Sequence, residues 1–254
     1  MKINYQSSLF HRIYIIGFFV ILSLPLLNWP IYFSPPNWAK TVVFQITFSI
    51  ILFIFLCQLL WQRRANIFSA VRRINKENLI FWLLLLLFFT NLLATIFSLD
   101  IMYSLFGSPY RGGGFINYGF YILFAIVAFL ILDNREWQKL WGFSVFIGVL
   151  VSILALISRF GILSDIFISR IDNISSTIGG PNTLGLYLVL LVFPALSFGI
   201  QEKNKIKKSF YLLSFMLFSL IILLTISQGA YLGFGAGVLY FLIFYPIKNL
   251  TAET

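Results

Sequence analysis

Charged residues are scarce in this sequence, and acidic ones are the scarcest. Only 10% of the 254 residues are charged, and 8 Asp and Glu stand beside 18 Lys and Arg. A soluble globular domain carries about 25% charged residues, so the composition excludes that class. The single cysteine excludes an internal disulfide. The only histidine, His11, has no second His, Cys or Asp nearby in the sequence, which predicts an interfacial side chain and no metal or cofactor site.

Long apolar runs are what the sequence has in abundance, since hydrophobic residues make up 60% of the chain. Eight runs approach or reach the roughly 20 residues that a helix needs to cross a bilayer. They cover residues 13–33, 41–61, 79–99, 115–132, 140–158, 183–200, 210–226 and 230–245. Because backbone polar groups in lipid must be satisfied within each segment, the runs predict an all-α, polytopic membrane helix bundle that forms one domain over residues 1–254.

The Lys and Arg residues fall almost entirely on one side of these runs. Fourteen of the 18 precede the first run or follow an even-numbered one. The other four are Lys40, Arg111, Arg159 and Arg170. The positive-inside rule therefore predicts about eight transmembrane helices with both termini in the cytoplasm, N-in and C-in. Orientation and anionic membrane lipids account for the net charge of +10 without nucleic acid.

The outer connection between the third and fourth runs contains a glycine-rich segment, LFGSPYRGGGF. Glycine lets the backbone approach a ligand closely, and successive N–H groups in such a turn can bind an anion. Arg111 lies between Tyr110 and Gly112 and adds a planar fork of donors that suits phosphate. The alternative interpretation is a flexible turn with an interfacial arginine.

The outer connection between the fifth and sixth runs is the longest, RFGILSDIFISRIDNISSTIGGPN. Arg159 begins it and Arg170 lies within it. Apolar residues recur at spacings of three and four over residues 163–174, which predicts a short helix lying in the outer interface.

This connection ends at Gly180 and Pro181, and the next helix is predicted to begin with Asn182 or Thr183 as its N-cap. The N-terminus of a helix presents free N–H groups and the positive end of its dipole. The sequence therefore predicts a position suited to a lipid-linked phosphate.

The seventh and eighth runs are joined by TISQGAYLGFGAG with almost no loop. Gly229, Gly233 and Gly237 recur every four residues, which predicts one smooth face for close helix packing. The alternative is a contact with substrate.

Three of these outer segments together resemble the O-antigen ligase and O-antigen polymerase family of bacterial multi-pass glycosyltransferases, over roughly residues 95–245. LFGSPYRGGGF is similar to the family pattern FGS-x-x-R-x-x-G. STIGGPNTLGLYLVLLVFPALS is similar to T-x-G-N-P-N-x-L-G-x-Y, with Gly180 where the first Asn often stands. TISQGAYLGFGAG is similar to T-x-S-R-G-A-x-L-G, with Gln228 in the place of Arg, so the core domain of the family would start near residues 207–254.

The resemblance implies an enzyme of polysaccharide biosynthesis in the cell envelope, such as lipopolysaccharide assembly. It would transfer a glycan from an undecaprenyl-diphosphate carrier to an acceptor sugar on the outer face of the bacterial cytoplasmic (inner) membrane, without a metal or cofactor. We expect the carrier diphosphate to contact Arg111, Tyr110, Arg159, Arg170, Asn182 and Gln228. The glycine and proline positions expected to shape this site are Gly112, Gly180, Pro181, Gly229, Gly233 and Gly237.

The family also has further helices and a large outer loop whose His and Arg residues are assigned to catalysis. This sequence ends at Thr254 before that part, so it is expected to be the N-terminal portion of such an enzyme, without a catalytic residue of its own. One alternative is a non-catalytic protein that binds the carrier lipid or acts as a scaffold and needs a partner polypeptide. The partners expected for the chain itself are membrane lipids and either a second copy of the chain or a missing C-terminal half. A glycan or lipid transporter is the other alternative, and the lack of charged residues within the runs weighs against it.

The predicted topology can be tested with reporter fusions. Since fourteen of the 18 cations lie on one side, a reporter fused after Lys208 should be cytoplasmic and one inserted at Ser175 should be external. The measurement is the activity of a paired alkaline phosphatase and green fluorescent protein reporter at each position. An external signal after Lys208 would refute the eight-helix topology.

Overall fold

A computed structural model of the protein describes residues 9–28, 36–61, 79–107, 113–160, 174 and 176–252. These residues are all-helical, with nine α-helices and one short 3-10 turn, and they contain no β-strand. The helices are α1 (Leu9–Ser23), α2 (Pro36–Trp61), α3 (Leu79–Ile96), α4 (Ile101–Phe106), α5 (Phe115–Ile131), α6 (Asn134–Arg159), α7 (Pro181–Gln201), α8 (Lys205–Leu224) and α9 (Gln228–Ala252).

The apolar helices identify the chain as a membrane protein. Among the described residues, five helical segments are long and apolar enough to cross a bilayer: Ala39–Gln58, Leu79–Ile96, Asn134–Arg159, Pro181–Gln201 and Lys205–Leu224. Three shorter apolar helices cover Phe10–Leu26, Phe115–Ile131 and Gln228–Phe244. Each predicted run therefore coincides with a helix. The first is shorter than predicted, because regular α-helix ends at Ser23 and the turn Leu24–Leu26 contains Pro25.

The helices form two compact units. The first unit comprises Met1–Leu24 and Tyr32–Leu140, and the second comprises Pro25–Ile31 and Trp141–Thr254. The division falls within α6, whose first turns belong to the first unit.

Aromatic packing and paired polar side chains hold α1, α2 and α5 together in the first unit. The hydroxyl of Tyr14 on α1 donates to Oε1 of Gln58 on α2 over 2.8 Å. Elsewhere on α2, the ring of Phe48 lies 5.6 Å from that of Phe124 on α5 in an edge-on arrangement. Gln45 on α2 donates from its amide to the side-chain oxygen of Asn117 on α5. These contacts satisfy polar groups inside apolar segments.

His11 has a partner that its neighbours in the sequence do not indicate. The side chain is buried, and its Nε2 forms a hydrogen-bond contact with Oε1 of Glu136, 125 residues away. Its location at the membrane interface stays a prediction. The other oxygen of Glu136 accepts a hydrogen bond from the backbone N–H of Asp133 over 2.9 Å, which caps the start of α6. The histidine therefore joins α1 to the beginning of α6 within the first unit.

The helices of the second unit alternate in direction. A Cβ added at Gly199, near the end of α7, would lie 2.8 Å from Cδ2 of Leu212, near the start of α8. A Cβ added at Gly185, near the start of α7, would lie 3.1 Å from Oγ1 of Thr225, just after the end of α8. Helices α7 and α8 are therefore antiparallel.

Helices α7 and α9 run parallel and approach closely along small residues. The contacting pairs are Gly185 with Ala230, Val189 with Gly233, and Phe193 with Gly237. Each step of four residues on one helix matches a step of three or four on the other, which fixes a parallel register. Gly233 and Gly237 therefore have the packing role that their spacing predicts. Gly229 does not, because a Cβ added there would meet no atom within 4 Å.

Replacement of Gly185 by alanine should destabilise the second unit. The new Cβ would lie 2.8 Å from Cβ of Ala230, which cannot move without its helix. We expect a lower Tm in detergent and a loss of about 1–3 kcal/mol, the usual cost of overpacking. The matched control is Gly235→Ala on α9, where no atom lies within 4 Å and helix propensity favours alanine. A Tm for Gly185→Ala equal to that of Gly235→Ala would contradict the close approach.

Candidate functional site

The N-termini of α7 and α9 lie side by side at one end of the second unit, because these two helices are parallel. Helix α7 begins at Pro181 with Gly180 as its N-cap, and no side chain caps it. Helix α9 begins at Gln228, and the only side-chain cap in its first turn is a long hydrogen bond of 3.4 Å from the N–H of Ala230 to Oγ of Ser227. Two positive helix-dipole ends therefore face the same side.

Both helix ends present unused backbone donors. Asn182 and Thr183 on α7 are exposed, as are Gln228 and Gly229 on α9. Within the described residues, no acceptor is found for their backbone N–H groups. The first N–H groups of a helix have no intrahelical partner, and they bind anions readily when they are accessible. This end of the unit therefore combines four free amides with two dipole ends.

A tight turn sets the position at which α7 begins. The backbones of Ser176 and Gly179 exchange two hydrogen bonds of 3.2 and 2.9 Å, and Gly179 has a φ of 120°, which glycine adopts without strain. The hydroxyl of Thr177 donates to the carbonyl of Pro25 over 2.6 Å and anchors the turn to the segment after α1. Proline at the first helical position then starts α7 at Pro181.

A strained three-residue connection sets the position of α9. Thr225 caps the end of α8, and Ser227 precedes α9. Between them Ile226 has a φ of 51°, a left-handed conformation that is unusual for a β-branched residue and costs of order 1–3 kcal/mol. The hydroxyl of Tyr231 donates to the carbonyl of Leu223 over 2.6 Å and links the two helices across this connection. The strain is therefore located beside the free amides of α9.

Arg159 lies at the same end of the second unit. A Cβ added at Gly142 on α6 would lie 3.0 Å from the hydroxyl of Tyr211, and one at Gly148 would lie 2.9 Å from Cζ of Phe218. These contacts advance together along α6 and α8, so the two helices are parallel and the C-terminus of α6 lies beside that of α8. Arg159 is exposed in the last turn of α6, where its charge also complements the helix dipole.

The glycine-rich connection of the first unit has its two ends in contact. Gly107 has a φ of 71° and ψ of −173°, and a Cβ added there would overlap the carbonyl of Gly113. A Cβ at Gly114 would lie 2.5 Å from the backbone nitrogen of Gly107. The glycines therefore permit a close approach between the two ends of the segment that contains Arg111. The predicted approach of this backbone to a ligand stays a prediction.

The short helix α4 leads into this segment and was not predicted from the sequence. The side chain of Asp100 accepts a hydrogen bond from the N–H of Tyr103 over 2.9 Å and caps the helix. The sequence does contain a signal for this element. Asp100 is a suitable N-cap, and four of the five residues that follow it are apolar or aromatic.

Three of the predicted contact residues are described, and all three lie at helix termini. Arg159, Asn182 and Gln228 lie at one end of the second unit. Tyr110, Arg111, Gly112 and Arg170 lie outside the described residues, as does the predicted interfacial helix apart from Ile174, which is buried. The predicted N-cap at Asn182 or Thr183 is wrong, because Gly180 occupies that position and Pro181 starts the helix.

No group of three or more His, Cys, Asp or Glu side chains occurs in the described part of the chain that could hold a metal ion. Comparisons with protein-family models, with characterised proteins and with solved structures find no match to the chain.

The contact between the ends of the glycine-rich segment can be tested by paired alanine substitutions. Gly107→Ala would place a side chain against the carbonyl of Gly113 in a conformation restricted to glycine, and should lower stability by about 1–3 kcal/mol. Gly113→Ala meets no atom within 4 Å and should change stability by less than about 0.5 kcal/mol. The Tm of each variant in detergent checks the difference, and equal values would show that the two ends do not meet.

Proposed function

We propose that the end of the second unit formed by the N-termini of α7 and α9 binds the diphosphate of a polyprenyl carrier lipid that bears a glycan. The observation that supports this most directly is the parallel α7–α9 pair, which points two helix N-termini and four free amides to one side. The ligand class is the undecaprenyl-diphosphate-linked glycan that the sequence resemblance implies.

The chemistry of this end suits a diphosphate held at a membrane surface. A helix N-terminus carries the equivalent of about half a positive charge and a C-terminus about half a negative one, so the N-termini of α7 and α9 are offset by the C-termini of α6 and α8 at the same end. The net positive charge therefore comes from Arg159, and the free backbone N–H groups supply directed donors for phosphate oxygens. Asn182, Thr183 and Gln228 supply further amide and hydroxyl donors beside the backbone N–H groups. A lipid-linked diphosphate presents its charge at the level of the membrane where helices begin, while its hydrocarbon tail stays in the bilayer.

The second part of the proposal concerns Arg111, whose role we infer from the sequence. It is the only cation in the glycine-rich segment, and its planar fork of donors matches a phosphate. We propose it as the principal phosphate ligand. The contact between Gly107 and Gly113 supports the idea that this segment is a shaped turn with its ends held together.

In this proposal the chain crosses the membrane about eight times, with both termini in the cytoplasm of a bacterium and the diphosphate site on the outer face of the inner membrane. The helix directions of the second unit support this assignment. The basic segment before α8 lies at one end, and the free N-termini of α7 and α9 lie at the opposite end. The short helices Phe10–Leu26, Phe115–Ile131 and Gln228–Phe244 would then be the first, fourth and eighth spans.

The binding step is the part of the function that the geometry supports best. Among the described residues at this end, the side chains are amides, hydroxyls and a guanidinium, and none of them is a general acid or base near neutral pH. We therefore propose carrier-lipid binding by a membrane-embedded part of an O-antigen ligase-like or polymerase-like glycosyltransferase. A carrier-binding or scaffold protein without catalysis is the second candidate, and the same lack of acid–base groups favours it.

A charge series at Gln228 tests the site. Gln228→Arg restores the cation that the family pattern has and should raise the affinity for undecaprenyl diphosphate about tenfold or more, since a charge-assisted hydrogen bond contributes about 1.5–3 kcal/mol. Gln228→Glu should lower the affinity by a similar factor, because it places a negative charge beside the diphosphate. The measurement is the Kd of labelled undecaprenyl diphosphate for the purified chain. Glutamate at a helix N-terminus favours the helix, so a loss of affinity would not reflect unfolding of α9.

Gln201 provides the matched control, because it is exposed at the opposite end of α7. Gln201→Arg and Gln201→Glu should leave the affinity unchanged. In the same assay, Arg111→Ala should weaken binding about tenfold to a hundredfold, and Arg111→Lys should recover only part of the loss. Equal effects at Gln228 and Gln201 would refute the helix-terminus site, and unchanged affinity in both Arg111 variants would leave that residue as a topological cation.

A further inference from the structure

One face of α8 forms a groove at the opposite end of the second unit from the proposed diphosphate site. The groove has a volume of about 340 Å³ and is lined by Lys205, Lys208, Ser209, Leu212, Leu213 and Met216. These residues recur at spacings of three and one, which puts all of them on a single helical face. Lysines form one end of the groove, and apolar side chains form the rest.

The lysine end carries a concentrated positive charge. Lys203, Lys205, Lys207 and Lys208 lie within six residues, and all four are exposed. No ion pair of these lysines occurs within the described residues, and the neighbouring Glu202 accepts a hydrogen bond from the N–H of Asn204 instead. The charge of this segment is therefore available to an anion.

The lysine side chains, and not the helix N-terminus, are the available donors here. Oδ1 of Asn204 already accepts hydrogen bonds from the N–H groups of Ile206 and Lys207 and caps α8. An anion at this end would be bound by Nζ groups on flexible stems, which suits a phosphate diester at a membrane surface. This distinguishes the groove from the uncapped start of α7.

The apolar part of the groove is left uncovered by the described helices. Leu213 is 61% exposed and Met216 is 65% exposed, while Leu212 packs towards Gly199 of α7. The exposed face continues along α8 with Leu220 and Leu223, which are 50% and 57% exposed. The groove therefore leads from two lysines onto an exposed apolar face of α8.

The length of the groove, from Lys205 to Met216, matches one leaflet of a membrane. From Lys205 to Met216 the helix rises about 16 Å at 1.5 Å per residue. Half of the hydrocarbon core of a bilayer is about 15 Å. A molecule with a phosphate at the lysines would therefore have its hydrocarbon chain alongside Leu213 and Met216 for the depth of a leaflet.

We propose that this face of α8 binds an anionic phospholipid, with its phosphate on Lys205 and Lys208 and an acyl chain along Leu212, Leu213 and Met216. A second copy of the chain fits the surface less well, because pairing this face with itself would bring together the four lysines of two grooves. Complementary charge at one end and apolar length at the other both correspond to a single lipid. The site is independent of the proposed diphosphate site.

The test is a titration of the purified full chain with phosphatidylglycerol and with phosphatidylcholine of the same acyl chains, followed by native mass spectrometry. The wild-type chain should prefer phosphatidylglycerol and bind it saturably. Lys205→Gln/Lys208→Gln should lower this affinity roughly 30-fold, at about fivefold for each lysine near a membrane surface. The matched control, Lys203→Gln/Lys207→Gln, loses the same two charges outside the groove and should lower it by less than about fivefold.

A second pair of variants tests the apolar part. Leu213→Trp fills the groove and should weaken phosphatidylglycerol binding, whereas Leu220→Trp lies on the same exposed face beyond the groove and should not. Equal losses in the two lysine variants, or no preference for phosphatidylglycerol, would overturn the proposal. If glycerol phosphate binds as tightly as the lipid, the lysines bind a free phosphate. If the wild-type chain forms a dimer that only the groove variants lose, the face binds a second copy of the chain. Either result also overturns the lipid proposal.

Discussion

The close approach of α7 and α9 is the constraint on which the second unit depends. Lipid tails are as apolar as the side chains that they surround, so helix association in a membrane relies on packing between small residues. Here Gly185 and Ala230 meet at one end of the pair, and Gly237 meets the ring of Phe193 further along. This register fixes both helix N-termini at one level. It also requires a short connection between α8 and α9. Ile226 lies in this connection and adopts a left-handed conformation.

Polar pairs between helices have the corresponding role in the first unit. Gln45 pairs with Asn117, and Tyr14 pairs with Gln58, each between two apolar helices. Such hydrogen bonds contribute only about 0.6–2 kcal/mol in a membrane, but an incorrect register would leave the polar groups without partners in lipid. Their main effect is therefore to select one alignment of the helices.

Local structure could be predicted well from the sequence, whereas contacts between residues far apart in the chain could not. Every apolar run became a helix, because lipid leaves the backbone few alternatives to internal hydrogen bonding. The four-residue spacing of Gly233 and Gly237 predicted a packing face, although it could not identify α7 as the partner. Nothing near His11 in the sequence points to Glu136, since 125 residues separate them. The start of α7 is determined by Pro181 at its first position and not by the polar residues that follow it.

We propose that the N-termini of α7 and α9 form an anion site for a lipid-linked diphosphate. The most direct test is a cryo-electron microscopy structure of the full chain in a lipid nanodisc with undecaprenyl diphosphate bound. We expect diphosphate density against the backbone N–H groups of Asn182, Thr183, Gln228 and Gly229. Density for the diphosphate at Lys205 and Lys208, or none beside the start of α7, would contradict it.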